Sequence, residues 1–552
     1  MSCDEIPMDI LFSESGECST APTSASASPL FRPSDIDDPK LVLPDSSPSN
    51  EEHQGAYPVE NVCVIGAGYV GGPTAAVLAI HNPAITVEVL DRDQKRIKQW
   101  NSPHLPVHEP GLDSLVSVVR DGVKNDNNDL QRQRNLYFTS DSARVIAKAD
   151  IIVISVGTQT KMFGVGAGSA TNMTAFDGAL MDIAAYAKSG TIIVEKSTVP
   201  VGTADRVRKT LAAHRPGAFF EVLSNPEFLA EGSAIENLMT PDRVLIGSTA
   251  TPAGRKAART LASLYEAWVP TNRILETNTW SSELAKLVAN AMLAQRISSI
   301  NSISAICERT GAEVDQVAKA IGMDARIGPH FLKAGLGFGG SCFRKDIASL
   351  AYLADCLGLD DVAVYWRQVN LMNEQQRDRF TRKVIQRFDG NLVGHKIAML
   401  GFAFKKGTRD TRDSLAVDVI RLLLEERPAE ITIFDPYCRE EDIMRELGPG
   451  ITEIGTVKVH SDPYLACSLA HAILLVNDCE EFRYTPTKKS TWSISPQCMD
   501  DKPTATEPLD WPRIAYNMVE PKWLFDGRGV LNVVDLEKLG VRVDRIGRRT
   551  IL

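Results

Sequence analysis

The stretch from residue 60 to residue 91 limits the fold more than any other part of the chain. A short β-branched run, 62-VCVI-65, leads directly into Gly66-Ala67-Gly68-Tyr69-Val70-Gly71 and then into an Ala-rich helical segment. A second run, 85-ITVEVLD-91, ends on Asp91, twenty residues beyond Gly71. This is the order of a βαβ unit. The G-x-G-x-x-G glycines permit a tight turn and a close approach of backbone to a pyrophosphate, whose charge then sits at the helix N-terminus. Alone, the motif fits a plain Gly-rich turn equally well. Asp91 decides for a dinucleotide site, because a carboxylate there accepts from both ribose hydroxyls. The same acid repels a 2′-phosphate, which favours NAD over NADP. Arg92 and Arg96 stand close by, either as phosphate partners or as solvated helix charges.

The alternation continues through 149-ADIIVISVG-157, 190-GTIIVEKST-198 and 221-EVLSNPEF-228. It restarts at 395-HKIAMLGFAF-404, 414-SLAVDVIRLLLEE-426 and 430-EITIFDP-436, and closes at 523-WLFDGRGVL-531. Strands separated by helical segments imply parallel sheets with helices on both faces. Between the two series, 280-WSSELAKLVANAMLAQRISSINSISAICERTG-311 has no Pro and no Gly before its last residue, which predicts one long helix. The expected architecture is α/β: two Rossmann-like, doubly wound parallel-sheet domains bridged by a helical region. The expected boundaries are 58–278, 279–390 and 391–552, with a loop insertion at 483–512. Residues 1–57, rich in Ser, Pro, Asp and Glu, lack the apolar content to offset ordering entropy and are expected to be disordered.

Composition removes other classes. The formal charge of −10 argues against a nucleic-acid binder. No apolar run approaches the roughly 18 residues that span a bilayer, so no membrane partner is expected. The acidic start MSCDEIPMDI does not resemble a signal peptide. Ten cysteines without C-x-x-C spacing disfavour a disulfide framework or a structural metal, and fit the cytoplasm.

Candidate chemistry sits on two helical segments. Cys342 follows four glycines in 335-GLGFGGSC-342 at an expected helix start, where the dipole favours a thiolate. Asp346 would share its face. A buried structural thiol after a Gly-rich turn is the alternative. Lys286 and Asn290, also four apart, suit an oxyanion, or form an ordinary polar face. Glu227 and Glu231 in 225-NPEFLAEG-232 offer a base, or a cap for the next helix.

Taken together, GAGYVG, EKSTVPV, LSNPEFLAEG, NTWSSELAKLVANA, GFGGSCFRKD, GFAFKKGTRDTRDS and FDGR resemble the UDP-glucose 6-dehydrogenase family, nearer its animal and fungal type. They run in family order over about residues 59 to 547. The resemblance implies oxidation of UDP-glucose to UDP-glucuronate with two NAD, through a thiohemiacetal and a thioester on Cys342. It implies that Lys286 and Asn290 stabilise the oxyanion and that Asp346 orders water and interacts with Lys286. Glu227 is the implied acid/base, and Thr198 lies beside the nicotinamide. The implied cofactor residues are Gly66, Ala67, Gly68, Tyr69, Val70, Gly71, Asp91, Arg96, Thr158, Thr160, Thr198, Glu231 and Arg412. The implied sugar-nucleotide residues are Glu227, Phe228, Leu229, Lys286, Asn290, Arg326, Lys333, Phe338, Gly339, Phe404, Lys405 and Arg528. Arg326 would reach across a subunit interface, with the long helix as the core of a homodimer or a larger assembly such as a hexamer. Other nucleotide sugars (a UDP-N-acetylhexosamine or GDP-mannose) and a weakly active or non-catalytic paralogue remain alternatives.

Two segments depart from the family pattern. Gly157-Thr158-Gln159-Thr160 replaces Asn-Thr-Pro-Thr, and the lost Pro with the added Gly is expected to loosen a loop beside the cofactor. In 473-ILLVNDCEEF-482 the usual Thr-Glu-Trp run is missing.

Overall fold

The computed structural model describes residues 56–124, 130–483 and 508–549. The expected disordered tail up to residue 55 and residues 484–507 of the expected insertion lie outside the described residues.

The first sheet contains β1 (Asn61–Ile65), β2 (Thr86–Leu90), β3 (Leu136–Thr139), β4 (Ile151–Ile154), β5 (Ile192–Glu195), β6 (Glu221–Ser224), β7 (Val244–Ser248) and β8 (Ile274–Asn278). Their order is β8-β7-β6-β5-β4-β1-β2-β3. The second sheet contains β9 (Lys396–Leu400), β10 (Glu430–Phe434), β11 (Val457–Val459), β12 (Ala472–Leu475), β13 (Trp523–Asp526) and β14 (Arg542–Arg545), in the order β11-β10-β9-β12-β13-β14. Both are doubly wound, as the alternating pattern predicts; the second is parallel throughout and the first is parallel apart from one edge. The β1 strand is buried on both faces, which explains its unbroken apolar run. Val62 and Val64 join one core cluster while Cys63 and Ile65 join another.

One edge of the first sheet differs from expectation. The β7 strand meets β6 antiparallel, with Ser224 opposite Gly247, and β8 runs parallel to β7. Between β6 and β7 the only helix is the six-residue Ala234–Met239, about 9 Å long. It does not carry the chain back to the far end of the strands, as a parallel crossover requires.

Six helices matter for the site: α1 (Gly71–His81), α2 (Thr203–His214), α3 (Thr279–Thr310), α4 (Ser341–Cys356), α5 (Asp360–Gln386) and α6 (Leu415–Glu425). The 32-residue α3 starts where the Asn278 side chain accepts from Ser281 N (2.7 Å) and stops at Gly311, whose φ of 87° is left-handed. Its Ile300 and Cys307 join Phe380 and Val384 of α5 in one core with the second sheet. Ala291 and Ala294 of α3 pack with Phe338, with Ile347 and Leu350 of α4, and with Val369 of α5. Among the described residues, no helix is long and apolar enough to cross a membrane.

Candidate active site

The dinucleotide turn has the geometry its glycines require. Gly66 has φ 109°, and a Cβ there would lie 2.2 Å from the Ser155 carbonyl oxygen. A Cβ on Gly71 would lie 1.9 Å from the carbonyl oxygen of Gly66, whereas one on Gly68 would meet nothing within 4 Å. The turn is therefore packed on one side and open on the other, at the start of α1, where Val70 contributes no side-chain cap. Asp91 accepts from Ala67 N (2.8 Å), Asp93 N (2.9 Å) and the Arg96 guanidinium (3.0 Å). Arg92 is held elsewhere, by Asp182 at 2.8 Å. Backbone amides, open space and a carboxylate together fit a dinucleotide.

The Gly157–Thr160 loop is tethered rather than loosened. The Thr158 hydroxyl donates to the Thr198 carbonyl at 2.7 Å. Thr160 forms a bridge with Thr171, and Asn172 N donates to the Gln159 carbonyl at 2.7 Å. Hydrogen bonds across the loop replace the stiffness that a proline would supply.

The chemistry groups converge from three elements. Lys286, on α3, is buried and pairs with Glu227 at 3.0 Å. Burial would lower its pKa, but Glu227, Asp346 and Cys342 outweigh that and hold it above its ordinary value. For Glu227, burial would raise the pKa. Lys286, the Leu229 amide (2.7 Å) and Lys196 outweigh it and hold the carboxyl below the usual range. Four residues on from Lys286, Asn290 donates to Asp346 at 2.6 Å. The other oxygen of Asp346 accepts from Lys345 at 2.7 Å. The ion pair of Lys286 thus goes to Glu227, and Asp346 acts on it only through space.

Cys342 lies in the first turn of α4 and is solvent-accessible. Its pKa, however, is raised, first by desolvation of the sulfur and then by Asp346 and Glu227, against the opposing pull of Lys345 and Lys286. The helix N-terminus does not by itself deliver a thiolate here, because the sulfur is desolvated and two carboxylates stand in the same site.

The remaining candidates surround this centre unevenly. The Phe228 ring carries two cations over it, the Arg243 guanidinium (3.8 Å from the ring centroid) and the Lys286 ammonium (5.4 Å). The loop carrying Phe338 docks on the second sheet: Leu336 N donates to the Gly527 carbonyl (2.7 Å), and Arg528 donates to the Gly337 carbonyl (2.8 Å). Burial pulls the Arg528 pKa down to about 10. Gly339 abuts Phe404, since a Cβ on it would lie 3.2 Å from the Phe404 Cβ. Lys405 is half-buried within electrostatic reach of Glu231, Glu109 and Cys342, its pKa lowered chiefly by desolvation. Lys333 pairs with Asp478 at 2.8 Å. Glu231 meets Arg412 at 3.4 Å, and burial with the nearby Asp410 pushes its pKa up to about 7. Tyr69 accepts from Gly232 N at 3.3 Å. Arg326 stands apart, with its side chain 89% exposed and paired only with neighbouring Asp324 among the described residues.

Several residues around the site escaped sequence reasoning. Asn373 of α5 accepts from Phe338 N and donates to its carbonyl, both at 2.8 Å. Gln376, one helical turn on, donates to the Gly335 carbonyl (2.8 Å), and Asn301 of α3 accepts from Gly335 N (2.9 Å). These amides hold the Cys342 loop by its backbone, and a backbone partner leaves no mark in the sequence. Lys345 and Lys196 were missed for a similar reason: nothing nearby in sequence distinguishes them from solvated lysines. Among the described residues, no group of three or more His, Cys, Asp or Glu is placed to hold a metal ion.

Known proteins match this chain over all three of its regions. Residues 60–269 match the NAD binding domain of the UDP-glucose/GDP-mannose dehydrogenase family, residues 280–375 its central domain and residues 398–504 its UDP binding domain. UDP-glucose 6-dehydrogenase 3 of Oryza sativa subsp. japonica is 46% identical over 501 residues, covering 88% of this chain and 97% of that one. UDP-glucose 6-dehydrogenase of Drosophila melanogaster is 46% identical over 495 residues, 88% and 96% of the two chains. A UDP-glucose dehydrogenase structure from the archaeon Pyrobaculum islandicum superposes with a TM-score of 0.70 at 27% identity, covering 90% of this chain and 99% of that one. With an open dinucleotide turn, a thiol beside a Lys–Glu pair, and all three family domains in order, the chain belongs to the UDP-glucose/GDP-mannose dehydrogenase family.

Proposed function

We propose that this protein oxidises the C6 alcohol of UDP-glucose to the carboxylate of UDP-glucuronate. The observation that carries the proposal is the convergence of Cys342, the Lys286–Glu227 pair and the Asn290–Asp346 pair in one site. NAD, when bound, accepts hydride from the sugar carbon, and two molecules in succession remove four electrons. The turn at Gly66–Gly71 with Asp91 would hold it.

Glu227, kept as a carboxylate, takes the proton of the C6 alcohol as the aldehyde forms. The Cys342 sulfur then bonds to the aldehyde carbon. Its raised pKa means that the thiol proton is lost during this attack, to solvent at the accessible sulfur, and the oxygen that gains charge is met by the Lys286 ammonium and the Asn290 amide. Loss of the second hydride from this thiohemiacetal leaves a thioester. Water, oriented by Asp346, adds to the thioester carbonyl, the C–S bond breaks, and the thiol reforms as the acid departs. Lys405, Arg528, Lys333 and Phe404 on the second-sheet side suit the UDP group, since guanidinium and ammonium groups match a diphosphate.

The protein acts as a homodimer or a multiple of one in this reading. The exposed Arg326 and the exposed Met292 (50%) and Ile306 (57%) on α3 support an interface there. The seven described cysteines are all unbonded, which supports a cytoplasmic site of action.

The test is NADH formation by the purified protein with UDP-glucose. Two NADH per sugar are expected, and no NADH overturns the proposal. Cys342→Ser should lower turnover by about a thousandfold or more while sparing binding of the sugar nucleotide.

A further inference from the structure

Lys196 follows β5 directly and is 5% exposed. Its ammonium donates to the Asn225 side-chain oxygen (3.0 Å), the Asn225 carbonyl (3.3 Å) and the Tyr265 hydroxyl (3.3 Å). Tyr265 in turn donates to the same Asn225 side-chain oxygen at 2.7 Å, and the Asn225 amide donates to the Leu245 carbonyl at 2.8 Å. All of these acceptors of Lys196 are neutral, and it forms no ion pair with a carboxylate among the described residues. A buried ammonium in that state is costly unless negative charge lies close by. Glu227 supplies that charge two residues beyond Asn225. Lys196, Glu227, Phe228, Arg243 and Tyr265 line one cavity of about 80 Å³, and Lys196 acts electrostatically on Glu227.

We infer that Lys196 is a positioning residue for Glu227: it pins the Asn225-Pro226 turn that presents the carboxylate and supplies, with Lys286, the positive charge beside it. This rests on the reading of Glu227 as the acid/base. The charged and titratable groups around Glu227 are Lys196 after β5, Lys286 on α3 and Cys342 on α4, with Asp242, Arg243 and Tyr265 lining the same cavity. Lys286 touches both Glu227 and the reacting oxygen in the proposed mechanism. Lys196 touches neither substrate nor cofactor in that mechanism and works only through the carboxylate.

The experiment compares the unaltered protein with Lys196→Gln, Lys196→Met and Lys196→Arg. Two quantities are read: the pH profile of kcat/KM for UDP-glucose, and the infrared titration of the carboxyl band that disappears in Glu227→Gln. With a neutral side chain at 196, the acidic limb and the band midpoint should both rise by about one pH unit. In the same variants kcat should fall about tenfold, with KM for UDP-glucose within about threefold. Lys196→Arg should keep the midpoint. Neutral variants that lose thermal stability but keep the original midpoint overturn the inference. If the neutral variants do not fold, Tyr265→Phe decides: kcat falling about threefold at unchanged KM supports the inference, and unchanged kcat overturns it. The band titration needs no turnover, so a protein that fails to oxidise UDP-glucose refutes the proposed function while still answering for Lys196.

Discussion

After β1 the chain reaches its helix through five residues, Gly66–Val70; after β9 it takes fourteen, Gly401–Ser414, to reach α6. Both turns are fastened by an acid at the end of the neighbouring strand. Asp91 accepts from Ala67 N, while Asp435 accepts from Phe402 N (2.6 Å) and Ala403 N (3.0 Å). Beyond that shared device they diverge. The short turn leaves room at Gly68. The long one carries Phe404, Lys405, Arg409 and Arg412. Two copies of one scaffold can thus serve a dinucleotide and a UDP-sugar, the first by removing side chains and the second by adding cationic ones.

The two sheets also grip the central helices differently. The first does so through Glu283 of α3, which accepts from Gly202 N (2.6 Å) and Ala204 N (2.8 Å) at the start of α2 and faces the buried Glu195. Apart from that neighbour, the Glu195 carboxyl has no hydrogen-bond partner among the described residues. The second sheet uses opposite charges instead: Asp544 pairs with Lys383 (2.5 Å) and Arg387 (2.8 Å) of α5 and its C-terminal edge.

Substitutions can break this contrast. The largest expected effect is at Gly68: Gly68→Val should raise KM for NAD by about a hundredfold or more while leaving the thermal midpoint and UDP-sugar binding unchanged, because a Cβ there would meet nothing of the protein within 4 Å. The opposite pattern is expected for Gly401→Ala. Gly401 has φ 91°, and its Cβ would lie 2.4 Å from that of Asn477. Urea unfolding should therefore show a loss of about 3 kcal/mol. Lys405→Ala should raise KM for UDP-glucose about tenfold with KM for NAD unaltered, which assigns the cationic turn to the sugar nucleotide.

The smallest effect concerns the carboxyl pair. Burial first, and then the partner carboxyl, pushes Glu195 upward, and burial pushes Glu283 up to about 7. Folding therefore favours the protonated pair. The stability it contributes is full below the ordinary carboxylate range and is lost as pH rises through about 7. Glu195→Gln, which donates to Glu283 without a titrating proton, should reduce the fall in melting temperature between pH 5 and 8 by a few degrees. An unchanged slope would place the pH dependence elsewhere.

Much of this was legible in the chain itself. The strand alternation, the Gly66–Gly71 turn and the Pro-free run of α3 encode local periodicity, and the structure follows them almost to the residue. The i, i+4 pairs Lys286/Asn290 and Cys342/Asp346 were legible because helical spacing fixes which side chains share a face. What escaped depends on contacts between distant segments. The antiparallel β6–β7 edge depends on how a 19-residue connection returns. The state of the Cys342 thiol depends first on desolvation by packing, then on Asp346 and on Glu227, the last over a hundred residues earlier. Lys196 gains significance only from Asn225 and Tyr265.

The unbroken length of α3 has a consequence of its own. Within about 30 Å of one rod it carries Glu283 against the dinucleotide side, Lys286 and Asn290 at the sulfur, Asn301 on the glycine loop and Ser304 beside Arg379. Each residue turns the rod by about 100°, so these attachments are timed like lobes on a camshaft. Deleting a single residue between Asn290 and Asn301 would swing the later lobes, Asn301 and Ser304, away from their followers, without removing or turning the helix groups that handle the sugar.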